Sequence, residues 1–171
     1  INRFVEKSGV KEPLSVKIQT NLPPSRGLGS SAAVAVAFVR ASYDFMDQPL
    51  DDKTLIKEAN WAEQIAHGKP SGIDTQTIVS NKPVWFKQGQ AETLKSLKLN
   101  GYMVVIDTGV KGSTKQAVED VHVLCESDEY MKYIEHIGTL VHSASESIEQ
   151  HDFHHLADIF NACQEDLRHL T

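Results

Sequence analysis

No run of apolar residues in this 171-residue chain approaches the roughly 20 needed to cross a bilayer. The first residues also lack the basic-then-apolar pattern of a secretory signal. Cysteine is scarce: Cys125 and Cys163 stand alone, without metal-ligand spacing and both in helix-like sequence. They read as free thiols in a reducing cytoplasm, not as a disulfide. Positive charge is short as well, with 17 Lys and Arg against 23 Asp and Glu, a net charge of −6. That balance argues against nucleic acid as the main partner and requires local donors for any anionic ligand. No internal repeat or low-complexity tract is visible. An initial methionine is missing too, and the chain runs from Ile1 to Thr171, ending within a helical pattern. The expectation is a piece of a longer protein.

What is present suits a globular domain: 40% apolar and 23% charged residues, with enough length for one good core. Leu14, Val16 and Ile18 alternate with polar residues, which predicts a half-buried strand that Pro23 and Pro24 then stop. Ala32 to Met46 reads as a largely buried helix. Asp51 or Asp52 caps a second one over Lys53 to Ala66, with Leu55, Ile56, Ala59 and Ala62 on one face and Gly68 ending it. Ile73 to Val79 and Pro83 to Phe86 are short strand candidates, and Tyr102 to Ile106 is a stronger strand, apolar enough for burial on both faces. Ser113 with Gln116 predicts a capping box. After Tyr130 two apolar stripes follow, Ile134, Ile137, Leu140, Val141, Ala144 and Ile148, then Phe153, Leu156, Ile159, Phe160, Cys163 and Leu167. They predict two antiparallel helices joined near Gln150-His151. The plan is α+β, with a seam between two subdomains near Gly101 to Gly112.

Two stretches carry chemistry. Pro23-Pro24-Ser25-Arg26-Gly27-Leu28-Gly29-Ser30-Ser31-Ala32-Ala33 is a glycine-serine turn feeding a helix. Unpartnered N–H groups and the positive end of the helix dipole make such a start an anion cradle, and Ser30 and Ser31 add hydroxyls. No lysine closes the loop, so it is not a Walker A site. The same residues also suit a glycine turn with a serine cap and no ligand. The second stretch, His67-Gly68-Lys69-Pro70-Ser71-Gly72-Ile73-Asp74, offers a carboxylate on a loop. Asp74 reads equally as a functional acid or as an Asx-turn residue. Glu63, taken alone, reads as a solvated surface carboxylate. His151, His154 and His155 read as a solvated helix start and not as a metal cluster, and His67 ends a helix.

The two motifs in this order and spacing resemble the GHMP kinase superfamily. Pro24-x-x-Gly27-Leu28-Gly29-Ser30-Ser31-Ala32-Ala33 is similar to its central phosphate-binding motif, and His67-Gly68-x-Pro70-Ser71-Gly72-x-Asp74 is similar to the mevalonate kinase branch. Asp107-Thr108-Gly109-Val110-Lys111-Gly112-Ser113-Thr114 resembles the strand-to-helix segment that follows. The resemblance implies a GHMP kinase-like fold of two subdomains, a left-handed β-α-β nucleotide-binding half and a ferredoxin-like C-terminal half, incomplete at both ends. Residues 1–100 would belong to the N-terminal domain and 101–171 to the C-terminal one. It further implies ATP and Mg²⁺ as cofactors and phosphorylation of mevalonate in isoprenoid biosynthesis, with a small-molecule substrate and a homodimer. Pro24, Gly27, Leu28, Gly29, Ser30, Ser31 and Ala32 would wrap the ATP phosphates, Ser31 (or Ser30) and Glu63 would hold the metal, and Asp74 would sit at the substrate hydroxyl. The family's N-terminal lysine motif and C-terminal glycine-rich motif do not appear, and neither Lys69 nor Lys111 replaces that lysine.

An aliphatic hydroxyl is a far weaker acid than a carboxylic acid, so its early deprotonation by Asp74 is steeply uphill. Phosphoryl transfer has a loose transition state in which that proton leaves late. Asp74 is therefore expected to orient the hydroxyl and accept the proton late. Two other readings remain at this point: a sister kinase acting on phosphomevalonate, and a silent nucleotide-binding module.

Overall fold

A computed structural model of the chain describes residues 1–24, 26–68, 70–87, 89–94, 102, 104–110 and 112–170. Ser25, Lys69, Gly101, Met103 and Lys111, which bear on the expectations above, lie outside the described residues. The chain divides into two compact units: Ile1–Ser96 with Asp107–Gly112, and Leu97–Ile106 with Ser113–Thr171.

The first unit is built on three packed helices, α2 (Ser30–Phe45), α3 (Asp52–His67) and α4 (Ile73–Ser80), preceded by α1 (Asn2–Ser8). Their core is Val36, Val39, Leu55, Ala59 and Val79, with Ala35, Tyr43, Leu50, Ile56 and Ile78 packed against it. The spacing explains the packing. Val36 and Val39 follow Ala32 at helical intervals on α2, and Leu55 and Ala59 lie one turn apart on α3. Each fully buried valine or leucine contributes about 1.5–3 kcal/mol of hydrophobic stabilisation. Asp51 caps α3 by accepting the Thr54 N–H at 2.6 Å, and Gly68 ends it with φ +83°. Phe4 of α1 meets Phe38 and Phe45 of α2 edge-to-face, and Arg3 and Lys7 pair with Glu58 of α3.

After α4, strands β1 (Val84–Lys87) and β2 (Gln90–Thr93) form an antiparallel hairpin in the register Val84↔Thr93 to Lys87↔Gln90. Among the described residues it is the only sheet. β1 answers to the expected Pro83–Phe86 strand, whereas β2 carries no alternation in Gln-Ala-Glu-Thr that would have announced it.

Three expected strands are corrected. Ile73–Val79 is helix α4: Gly72, at φ +88°, starts it, and Thr75 and Val79 are buried at a spacing of four, not two. Leu14–Ile18 carries no strand pairing and its apolar side chains are exposed. The same holds for the described residues of Tyr102–Ile106, where Tyr102, Val104, Val105 and Ile106 are all exposed instead of buried on two faces. A strand satisfies its backbone groups only beside a partner, and the described residues place none next to either segment.

The second unit contains α5 (Thr114–Leu124), α6 (Asp128–Gln150) and α7 (Phe153–Arg168). Ser113 caps α5 by accepting the Gln116 N–H, but the Gln116 side chain bonds Asp120 instead of closing the expected box. His151, in the left-handed conformation, ends α6, and Asp152 caps α7, so the two long helices meet where expected and pack on each other. Leu156 and Ile159 of the second stripe are buried, whereas Ile134, Val141, Phe160 and Leu167 are exposed. Cys125 and Cys163 are free and half-buried. Among the described residues no helix is long and apolar enough to cross a membrane.

Candidate active site

Two glycines shape the start of α2. Gly27 and Gly29 have φ of +69° and +64°, a conformation L side chains adopt only under strain. Gly29 is the N-cap and, having no side chain, offers no capping acceptor; its carbonyl takes the Ala33 N–H at 2.9 Å. At the start of an α-helix the first N–H groups point out of the helix end instead of to a carbonyl within it. A side chain on Gly29 would touch Ile78 of α4 at 3.7 Å, so the turn lies directly on that helix. Pro24 and Leu28 are exposed on the approach to it.

Glu63 is reached from below. It continues the stripe Leu55–Ala59 by four more residues and is 6% exposed, not the solvated carboxylate its own sequence surroundings suggest. The Ser31 hydroxyl donates to its Oε1 at 2.6 Å. The fourfold spacing from Leu55 was the signal that places this acid inward. A buried carboxylate costs several kcal/mol unless it is paired or hydrogen-bonded, so such a group marks a built site.

Asp74 lies in the first turn of α4 and is exposed, not on a loop before a strand. A carboxylate there stabilises the helix through its dipole. Gly72, at φ +88°, lies against α3: a Cβ on it would stand 3.3 Å from Asn60 Nδ2. Asn60 and Glu63 are three residues apart, hence neighbours on α3. One face of α3 therefore receives the first turns of both α2 and α4. The structure joins Ser31 to Glu63 directly, and Asp74 stands two residues after Gly72 in the first turn of α4.

Arg26 extends from the glycine loop to a second turn. Its Nε lies 2.8 Å from Asp107 Oδ1 and its Nη2 donates to the Gly109 carbonyl at 3.3 Å. The Gly109 N–H donates to the same Asp107 oxygen at 2.8 Å. That N–H first, and Arg26 second, hold the Asp107 carboxyl below the usual carboxylate range.

No group of three or more His, Cys, Asp and Glu that could hold a metal occurs among the described residues. A hydroxyl and one carboxylate nevertheless suit Mg²⁺, which keeps several waters and takes its remaining oxygens from phosphates. An open depression of about 490 Å³ lies elsewhere, lined by Arg40, Tyr43, Asp44, Gln48, Leu50 and Leu55 among others. It holds no glycine turn and none of the expected site residues, so chemistry, not volume, locates the site.

The model for the GHMP kinases N terminal domain matches residues 1–81. Mevalonate kinase of Aeropyrum pernix is 35% identical over 157 residues, covering 89% of this chain and 48% of that protein. Mevalonate kinase of Pyrococcus abyssi is 33% identical over 168 residues, covering 94% and 50%. The crystal structure of mevalonate kinase from methicillin-resistant Staphylococcus aureus superposes with a TM-score of 0.77 at 63% identity, covering 99% of this chain and 54% of that one. The chain thus spans about half the length of the relatives it matches. Its glycine turn, its buried Ser31–Glu63 pair and these likenesses agree: the chain belongs to the GHMP kinase superfamily, where the relatives it matches are mevalonate kinases.

Proposed function

We propose that this chain supplies the nucleotide- and substrate-binding part of a kinase that transfers the γ-phosphoryl group of ATP to the 5-hydroxyl of mevalonate. The observation that carries the reading is the Ser31–Glu63 hydrogen bond at a helix start opened by Gly27 and Gly29. Names of relatives support the substrate: those matched here are mevalonate kinases.

In this reading Gly27 to Ala32, with Pro24 and Leu28 flanking, wrap the phosphates with backbone N–H groups and the Ser30 and Ser31 hydroxyls. Ser31 and Glu63 would hold Mg²⁺, which when bound neutralises charge on the phosphates. Asp74 accepts a hydrogen bond from the attacking hydroxyl, aims it, and takes its proton late. Positioning and charge neutralisation carry most of the barrier reduction, because the transition state is loose. Residues 1–100 are assigned to the N-terminal domain and 101–171 to the C-terminal domain, the match over residues 1–81 supporting the first. The left-handed β-α-β and ferredoxin-like descriptions of the two halves belong to the same proposal.

The test is ADP release from Mg²⁺-ATP by the longest reading frame that carries this chain, offered mevalonate, phosphomevalonate, homoserine and galactose. Turnover with mevalonate alone is expected. Turnover with phosphomevalonate moves the assignment within the superfamily, and no ADP with any of the four overturns it in favour of a silent module.

A further inference from the structure

Arg26 is the one charged residue between Pro23 and Ala33. On a loop that reads as a phosphate cradle, its simplest task would be to reach an anion. The structure turns it elsewhere. The Arg26 side chain is 20% exposed and that of Asp107 50%. Nη2 donates to the Gly109 carbonyl, 83 residues further along, while Nε approaches Asp107 Oδ1 to 2.8 Å as an ion pair and, like Nη1, is buried without a hydrogen-bond partner among the described residues. Asp107 in turn closes its own turn through the Gly109 N–H. The loop itself is soft: Gly27 and Gly29 are both in the left-handed region, and glycine has the most backbone freedom to lose. Prolines stiffen one end and α2 anchors the other. Among the described residues between them, Arg26 is the side chain whose polar contacts reach a distant segment.

We propose that Arg26 is a positioning residue: it pins the glycine loop to the Asp107–Gly109 turn, so that the N–H groups at the start of α2 meet nucleotide phosphates in one preset geometry. The proposal rests on the phosphotransfer reading above. Its physical content is a population. A loop that visits its binding form only part of the time weakens apparent affinity by that fraction. Asp107 is half exposed, so the ion pair by itself contributes little. Direction comes from the Nη2 hydrogen bond to the Gly109 carbonyl, which with the Nε–Asp107 approach holds Arg26 at two points of one turn.

The opposing role, direct contact of Arg26 with phosphate, makes a different forecast for Asp107. Asp107→Asn leaves the Arg26 charge in place and removes the anchor's ion pair. Pinning requires Asp107→Asn to imitate Arg26→Ala, whereas direct contact requires Asp107→Asn to bind nucleotide as well as the parent or better. In the longest reading frame that carries the chain, each variant is expected to raise KM for ATP and Kd for ADP about tenfold, within the span usual for residues that act through others. Their kcat should stay within about threefold. The double variant should be no worse than the weaker single one, because both remove one device. Thermal melting checks that each protein is folded, and Asp107→Asn carries the test where Arg26→Ala does not fold. Unchanged KM and Kd in both singles, or additive losses in the double, overturn pinning, as does loss in Arg26→Ala alone. If the parent shows no turnover with any alcohol, the phosphotransfer reading fails, while ADP binding by the same variants still decides this one.

Discussion

The Ser31 hydroxyl donates to the buried Glu63 carboxylate at 2.6 Å, tying the first turn of α2 to the C-terminal part of α3. The pair places a negative oxygen beside a helix start that otherwise favours anions, which makes sense if a cation comes between them. Glu63→Gln keeps the shape and an acceptor for Ser31 but removes the charge. It should leave the melting temperature nearly unchanged and raise the Mg²⁺ concentration for half-maximal rate at least about tenfold, the size of a lost charge interaction of 1.4 kcal/mol or more. Glu63→Ala also loses a charge-assisted hydrogen bond of about 1.5–3 kcal/mol and should melt measurably lower. A Mg²⁺ titration of Glu63→Gln matching the parent would remove Glu63 from the metal.

Asp74 is exposed, in the first turn of α4. Asp74→Asn preserves size and helix start but cannot take a proton. Turnover should fall by about 10²–10⁴, the usual yield of a positioned proton acceptor, with Kd for ATP unchanged. Near-normal kcat in this variant would end the assignment.

Gly72 sits at φ +88° with Asn60 Nδ2 3.3 Å from where a Cβ would stand. Gly72→Ala therefore suffers twice, from backbone strain of about 1–2 kcal/mol and from the Asn60 contact. Asn60 Oδ1 is itself buried without a hydrogen-bond partner among the described residues, so Asn60→Ala should be cheap for a buried amide. In the Asn60→Ala background the cost of Gly72→Ala should shrink by at least about 0.5 kcal/mol in denaturant titrations, a coupling expected only of residues in contact. Strictly additive losses would show that backbone strain alone governs the position.

Helix limits were legible because local chemistry sets them. Asp51, Gly68 and Ser113 cap helices in the sequence and in the structure alike. Of the strands only Pro83–Phe86, which answers to β1, was legible, because a ladder is a tertiary event. Leu14–Ile18 has the right alternation and no partner among the described residues, while β2 has a partner and no alternation. Ile73–Val79 misled through its β-branched residues, whose strand preference yields to Gly72 and to the burial of Thr75 and Val79 four apart. At the candidate site, the helix start that carries Ser31 was readable from the glycine turn, whereas the proposed role of Asp74 comes from the motif alone. Glu63 needed one more step along the Leu55–Ala59 stripe, a step its charge discouraged.

Acid should undo one cap selectively. The Asp51 carboxyl is held below the usual carboxylate range, chiefly by the Thr54 backbone N–H, with the Thr54 side chain next and Lys53 a smaller contribution, against a small opposing effect of burial. Its folded pKa lies below its unfolded one, so the cap stabilises at pH values above the unfolded pKa. That stabilisation fades as pH falls through the ordinary carboxylate range and is gone below the folded pKa. Asp51→Ala should therefore melt lower than the parent at pH 7, and the two curves should converge as the solution is taken to strong acid. Asp51→Asn, which keeps a capping oxygen without the charge, should lie between them at pH 7 and show no such convergence of its own with Asp51→Ala. A gap between parent and Asp51→Ala that persists undiminished in strong acid would mean that the side chain acts through packing and not through its ionised oxygen.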